Sequence, residues 1–548
     1  MEILHLFEIK SVFKIVIFSL TIILLFPGPD PHARWRAGHP SNYGAKRSSV
    51  LMETIVSIKP LLAVLVTLIG SLFIIFTGER NRNLREFWTI LASIIKFSIV
   101  LSMVPFILDG KTLEFTIISL APGVSLQFRV DQFGMFFGVL ASALWIATSV
   151  YSIGYVRGLN EHAQTRYFFN FALCLSATMG IAFAGNLLTL FIFYEILTVA
   201  TYPLVAHKET EDAIMGGRKY LAYTLIAGVV ILFAIIFIYT LTGSLDFKPG
   251  GFLSGHGSPA ALIFLFSILI LGFGVKAALM PMHEWLPTAM VAPTPVSALL
   301  HAVAVVKAGV FGCLRIILYV FGPALLHELD LWIILAYFAA FTVIVSGMYA
   351  LAQDNLKRRL AFSTINNLSI IVMGAALLTP SAITGSIFHI GSHGFMKITL
   401  FFVAGAIYVK THKENISELD GLGRQMPLTF GAFAVCAMGV AGTPPVCGFI
   451  SKWYLALGAL EAKEVVFLFV LLISAMMDIA YFFPIIYNAF FKIPEEAVNP
   501  HFDEAPMRMV VPLMITAIIS LILGIFPNAF FNFFNIASMA AGKILGGM

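Results

Sequence analysis

Residues 262–280 read LIFLFSILILGFGVKAALM, and Lys276 sits inside this otherwise uncharged run. An ammonium at bilayer depth costs roughly 2.5–3.5 kcal/mol even on insertion-derived scales, so it is kept where it faces a partner or a water-filled path. Snorkelling does not explain Lys276, which lies several turns from the polar ends of its run. Working outward, Glu195, His301, Lys307, His389, His393, Lys397 and Lys452 also fall within or at the ends of apolar runs. Ionisable groups spread in this way over several spanning segments read as a chain of proton sites buried in a membrane.

The rest of the chain agrees with that setting. Of its 548 residues 59% are apolar and only 11% charged, which excludes a soluble globular protein. Runs long enough to span a bilayer, about 20 residues each, occur near 54–77, 87–108, 132–153, 167–186, 187–206, 218–243, 261–280, 293–320, 331–352, 360–379, 384–409, 426–445, 465–490 and 509–527. Their period is helical, with no alternation of the outer-membrane strand type. The expected fold is an all-α polytopic membrane protein of about fourteen transmembrane helices. A segment around Ala121-Pro122-Gly123, TLEFTIISL followed by VSLQFRV, fits a short hairpin on the outer face.

Charge orients the bundle. Arg80, Arg82, Arg85, Arg157, Arg166, Lys208, Arg218, Lys219, Lys357, Arg358, Arg359, Lys410, Lys413, Arg424, Lys492 and Arg508 fall in loops after odd-numbered runs. The even loops and the C-terminal tail hold only Lys111, Arg129, Lys248, Lys463 and Lys543. Basic residues collect on the cytoplasmic side, so the odd loops lie inside and both ends of the unit outside. The pI near 8.9 reflects this bias and implies no nucleic-acid partner. Arg315, Asp354 with Lys357, Arg358 and Arg359, and the cluster Glu209, Glu211, Asp212, Arg218 and Lys219 read as topology determinants and solvated loop charges. The four cysteines, Cys174, Cys313, Cys436 and Cys447, form no CxxC pair, and no cofactor, metal or redox centre is expected.

Residues 12–27 form a short apolar run near Lys10 and Lys14, followed by a polar stretch containing Arg34, Arg36, Lys46 and Arg47. If the run spanned, those charges would fall outside, against the bias of the other loops. Residues 1–51 are accordingly expected to precede a translation start at or near Met52, or to be a signal-like or accessory segment.

Two helices are expected to be broken. Met280-Pro281-Met282-His283-Glu284-Trp285-Leu286-Pro287, then Pro293 and Pro295, follow Lys276; Gly442-Thr443-Pro444-Pro445 precedes Gly448 and Lys452. Prolines at membrane depth are tolerated where protein or water satisfies the freed carbonyls, and a pair of such breaks in two halves of a chain points to a transport path. The halves are runs four to eight and nine to thirteen, with no residue-level repeat between them. Around these breaks, burial disfavours the Lys276 ammonium while a nearby Glu195 carboxylate favours it, a combination that loads a proton when paired and releases it when separated. His301 and Lys307, six apart on one expected helix, point about 120° from each other. His389, His393 and Lys397, spaced by four, line one helical face. Histidine passes protons near neutrality, whereas a metal needs more ligands than His389 and His393 supply. Asp478 is a further buried acid and a possible partner of Lys452.

The segments FYEILTVATYPLV, GVKAALMPMHEWLPTAMVAPTPVSALLHAVAVVKAG, NLKRRLAFSTINNLSIIVMG, HGFMKITLFFVAGAI and GTPPVCGFISKWYLALGAL resemble the antiporter-like subunits of respiratory complex I, Mrp-type multisubunit Na⁺/H⁺ antiporters, membrane-bound hydrogenases and formate hydrogenlyases. The resemblance covers roughly 54–530; Lys452, where one complex I branch has glutamate, favours the branch of the Mrp D-type or large subunits, and the chain most resembles the D type. The resemblance implies two inverted five-helix repeats, broken seventh and twelfth helices, and proton sites at Glu195, Lys276, His301, Lys307, His389, His393, Lys397 and Lys452. It divides the chain into three N-terminal helices at 52–160, repeats at 161–320 and 321–490, and a C-terminal helix and tail at 491–548. It also implies partner subunits in a prokaryotic plasma membrane, with protons as cargo and Na⁺ as a candidate second ion. The rival expectations are a proton pump of an NADH–quinone oxidoreductase or hydrogenase, a stand-alone solute carrier, and a non-conducting scaffold.

Overall fold

Side-chain caps start the helices that carry the buried charges. Asn186, Ser258, Asn355 and Thr379 each accept a backbone N–H from the first turn of Leu187–Val205, Pro259–Ala277, Leu356–Ala376 and Pro380–Thr411, respectively. Such a cap satisfies a donor the helix cannot bond itself and is worth about 1 kcal/mol. The computed structural model describes residues 53–493 and 502–546; the expectations for residues 1–51 lie outside them.

Among the described residues, eleven helices are long and apolar enough to cross a bilayer. The expected count of fourteen is higher for a physical reason. Gln164–Ala182 and Leu356–Ala376 have the length, but carry residues such as Arg166, Lys357, Arg358 and Arg359, while Pro427–Ala441 has only 15 residues. The chain is a multi-pass α-helical membrane protein. Its outer helices show lipid-facing apolar side chains beside buried polar ones: on Val465–Phe491, Met476 is 70% exposed and Asp478 0%.

The first run starts later than its composition indicates, because Thr54–Val56 is a strand and the helix is Lys59–Thr77. That strand pairs in parallel with Thr112–Ala121, which pairs antiparallel with Val124–Val130. The expected hairpin is therefore present, as part of a three-stranded sheet. Its turn needs Gly123, whose φ is +74° and whose absent Cβ would lie 2.0 Å from the Gly243 carbonyl oxygen.

Both expected breaks occur. Pro259–Ala277 is followed by the short helix Trp285–Thr288, and Pro427–Ala441 by Cys447–Glu461. A third break was not expected: 293–320 does not form one helix but Thr294–Ala302 and Val305–Arg315, with Val303 and Ala304 out of helical geometry. Between these interruptions runs Pro380–Thr411, a 32-residue helix buried from residue 382 to 407. It packs against Gln132–Gly158, Thr294–Ala302, Leu356–Ala376, Pro427–Ala441, Cys447–Glu461 and Met507–Ile525.

Candidate functional site

Lys276 lies in the last turn of its helix, which stops at Ala277. It is therefore not several turns from a helix end, as the length of its apolar run suggests: Ala278 turns into the left-handed region at φ +57° and Pro281 cannot continue the ladder. Lys276 Nζ donates to the Tyr194 carbonyl at 2.6 Å and lies 3.3 Å from the centre of the Tyr194 ring. Gly309 allows this end to seat, since a Cβ there would come within 2.2 Å of the Ala277 nitrogen. The neighbouring residue, Glu195, turns its carboxylate onto Gly228, where a Cβ would lie 2.6 Å from Oε1. Oε1 has no hydrogen-bond partner among the described residues. Lys276 and Glu195 are not in contact: the ammonium is held by the Tyr194 carbonyl.

The third break changes the geometry of His301 and Lys307. The helical-wheel angle between them does not apply, because they stand on separate helices, Thr294–Ala302 and Val305–Arg315. Lys307 Nζ bonds His393 Nδ1 at 2.8 Å. His301 is left against the Phe401 ring, 4.5 Å between centres, with neither ring nitrogen bonded.

Beyond Lys307 the groups join. His389 Nδ1 meets Ser451 Oγ at 2.7 Å and its Nε2 meets Asn367 Oδ1 at 3.2 Å. The His389 and His393 ring centres are 6.0 Å apart. Lys397 Nζ donates to Ser363 Oγ at 2.6 Å. Ser363 Oγ is 2.8 Å from the Tyr481 hydroxyl, which also bonds Asp478 Oδ1. Asp478 Oδ2 holds Lys452 Nζ at 2.9 Å. Lys397, Ser363, Tyr481, Asp478 and Lys452 therefore form one unbroken buried row, and the Lys452–Asp478 pairing expected from the sequence is present. Lys452 reaches it by folding over the second break, with its Cδ 2.9 Å from where a Cβ of Gly442 would lie.

The profile of the family described as NADH:quinone oxidoreductase/Mrp antiporter, TM, matches residues 184–478, a stretch that contains all these ionisable residues except Tyr481. The chain belongs to this family. It is 32% identical over 430 residues to the N subunit of the NADH-quinone oxidoreductase of Desulforudis audaxviator, covering 76% of this chain and 85% of that one. It is 25% identical over 470 residues to the D subunit of the Na(+)/H(+) antiporter of Bacillus subtilis, covering 85% and 93%. Among solved structures, a chain of the Mrp complex from Dietzia sp. DQ12-45-1b shares the fold at 20% identity, with a TM-score of 0.79 over 90% of this chain and 98% of that one.

In this family member several polar residues join the site that sequence reasoning passed over. Ser363 and Tyr481 carry the row between Lys397 and Asp478, and hydroxyls in apolar helices give no periodic signal. Lys96 was legible by the argument used for Lys276: it lies mid-run at 87–108, fully buried, with Nζ 3.3 Å from the Leu175 carbonyl and 4.1 Å from the Trp145 ring centre. Arg315 is not a solvated loop charge. It is 1% exposed, forked onto both Asp131 oxygens at 2.5 and 2.8 Å, and fenced by Phe133, Phe247, Phe311 and Tyr319. Lys357 is also buried, its Nζ 3.3 Å from the Ala292 carbonyl beyond the first break. A charged cavity of about 460 Å³, lined by Lys208, Asp212, Lys357, Arg358 and Glu414, opens beside that break.

Proposed function

We propose that this chain is the proton-translocating subunit, of the Mrp D type, in a multisubunit monovalent cation/proton antiporter, working in a bilayer beside partner subunits. The observation that carries the reading is the buried row from Lys397 to Lys452. Each hydroxyl in it has one proton to give and lone pairs to accept. With Lys397 donating to Ser363, Ser363 to Tyr481 and Tyr481 to Asp478, a proton leaving Lys397 is matched by one delivered to Asp478, which passes it to Lys452 once that amine has released its own proton toward the aqueous face. Lys307 and His393 supply the step before it, and His389 a branch toward Ser451.

At the other end, Glu195 and Lys276 act as the gate. In the arrangement described, the ammonium rests on the Tyr194 carbonyl and the carboxylate on Gly228. Movement of Lys276 toward Glu195 favours the charged pair, and its return favours release of a proton. The segments 161–320 and 321–490 act as two inverted repeats, each with a broken helix at its half-channel.

A second reading is a proton-pumping subunit of a respiratory complex, favoured by the 32% identity to one chain of a quinone oxidoreductase. One experiment separates these. The native complex carrying Lys276→Ala is checked for assembly, then reconstituted in vesicles with a pH-sensitive dye and driven by a cation gradient or by electron transfer. Loss of proton movement supports the reading, and the driver that works with the unaltered complex names the branch. Unchanged proton movement with normal assembly refutes it and leaves a scaffold.

A further inference from the structure

Away from the buried path, the described residues contain one group of three side chains able to hold a metal ion, Glu161, His162 and His207, whose ligand atoms lie within 4.8 Å of one another. Two loops assemble it. Glu161 and His162 connect Gln132–Gly158 to Gln164–Ala182, and His207 follows Leu187–Val205, the helix of Glu195. Both loops belong to the face that gathers the basic residues.

The histidine at the centre is what makes this more than a loop contact. His207 is fully buried, and its ring nitrogens make no close side-chain hydrogen bond among the described residues, with the His162 backbone and the Glu161 carboxylate as polar neighbours. A buried polar atom without a full partner is costly to keep, and a ligand that engages it offsets that cost. Nε2 faces Glu161 Oε2 at 4.0 Å, and the His207 ring stacks on that of His162 with centres 4.9 Å apart. His162 is 46% exposed, which leaves an open way in from solvent.

We propose that Glu161, His162 and His207 form a binding site for a divalent transition-metal ion of the zinc class, which ties the two loops together at the end of the Glu195 helix. Two imidazoles and a carboxylate are the donors of zinc-type sites, whereas calcium and magnesium take oxygen alone. Tetrahedral ligands at about 2.05 Å stand roughly 3.3 Å apart, so binding draws the side chains in by about an ångström. His162 and Glu161 are free enough to move that far. The fourth position falls to water or to Glu209, whose Oε1 is 3.8 Å from His162 Nε2. Two cations border the site. Arg166 is engaged by Glu209 and by the His207 carbonyl, and Lys208 lies over the Tyr408 ring.

The test titrates the purified full chain, stripped with chelator, with Zn²⁺ alone by calorimetry, and counts retained zinc by mass spectrometry. The expected result is one equivalent per chain, with affinity lowered on the order of 100-fold in both His207→Gln and His162→Ala. His162 is exposed, so its replacement reports on binding even where the His207 variant fails to fold. Absence of stoichiometric binding, or unchanged affinity in His162→Ala, overturns the proposal and leaves the two rings as ordinary loop packing. Proton transport does not enter this readout, so its outcome is independent of the function proposed above.

Discussion

The two proline-marked breaks hold buried charge in opposite ways. Around the first, Lys276 is satisfied by a backbone carbonyl, while Glu195 Oε1 has no protein partner among the described residues. Around the second, Lys452 and Asp478 pair directly and continue through Tyr481 and Ser363 to Lys397. One region is poised and the other connected. An unmet carboxylate close to an ammonium it does not touch gives two nearby arrangements to choose between, as a gate needs. A row of mutually bonded groups holds one arrangement and suits conduction.

The largest expected effect strikes the connected region. Asp478→Ala leaves Lys452 buried without its counter-charge, a loss of about 3–5 kcal/mol, and should abolish transport; a thermal-unfolding series in detergent beside a vesicle flux assay reads both. Were Asp478→Ala as stable as the parent, the pair would not hold that region together. Next comes the niche of Glu195. Gly228→Ala places a methyl 2.6 Å from Oε1 and should cost about 1–3 kcal/mol by overpacking, unless the carboxylate moves over to Lys276. Infrared detection of carboxylate protonation in that variant distinguishes the two arrangements. Arg315→Lys, outside both regions, gives up the two-pronged bond to Asp131 and should lose about 1–3 kcal/mol with little change in flux per folded molecule. The smallest effect is expected at His301. His301→Phe exchanges one ring for another against Phe401 and should change stability by less than about 1.5 kcal/mol. Its flux should fall less than that of any variant in the connected row, and a total loss would move His301 from the margin to the centre of the path.

How far the residues themselves foretold this depends on what kind of signal each carries. Apolar length announced the spans, and Pro281 and the Pro444-Pro445 pair announced two breaks. The four-residue spacing of His389, His393 and Lys397 announced their shared burial on one helix, and the loop around Pro122-Gly123 its hairpin. The break at Val303–Ala304 carried no such mark, since no proline or glycine stands there, and the angle drawn between His301 and Lys307 failed with it. Arg315 misled for another reason: its partner Asp131 lies 184 residues away, and a charge at the edge of an apolar run looks the same whether it meets water or a distant carboxylate. Ser363 and Tyr481 are separated by 118 residues and became part of the site only when their helices were placed side by side.

The central claim is that protons pass along the row from Lys397 to Lys452, and Tyr481→Phe tests it most directly. The substitution removes a single hydroxyl, keeps the ring against Phe482, and leaves the Lys452–Asp478 pair in place. Measured in vesicles on the assembled complex, proton flux should fall about tenfold or more with assembly and thermal stability close to the parent. Flux equal to that of the parent would contradict the account and place the path elsewhere.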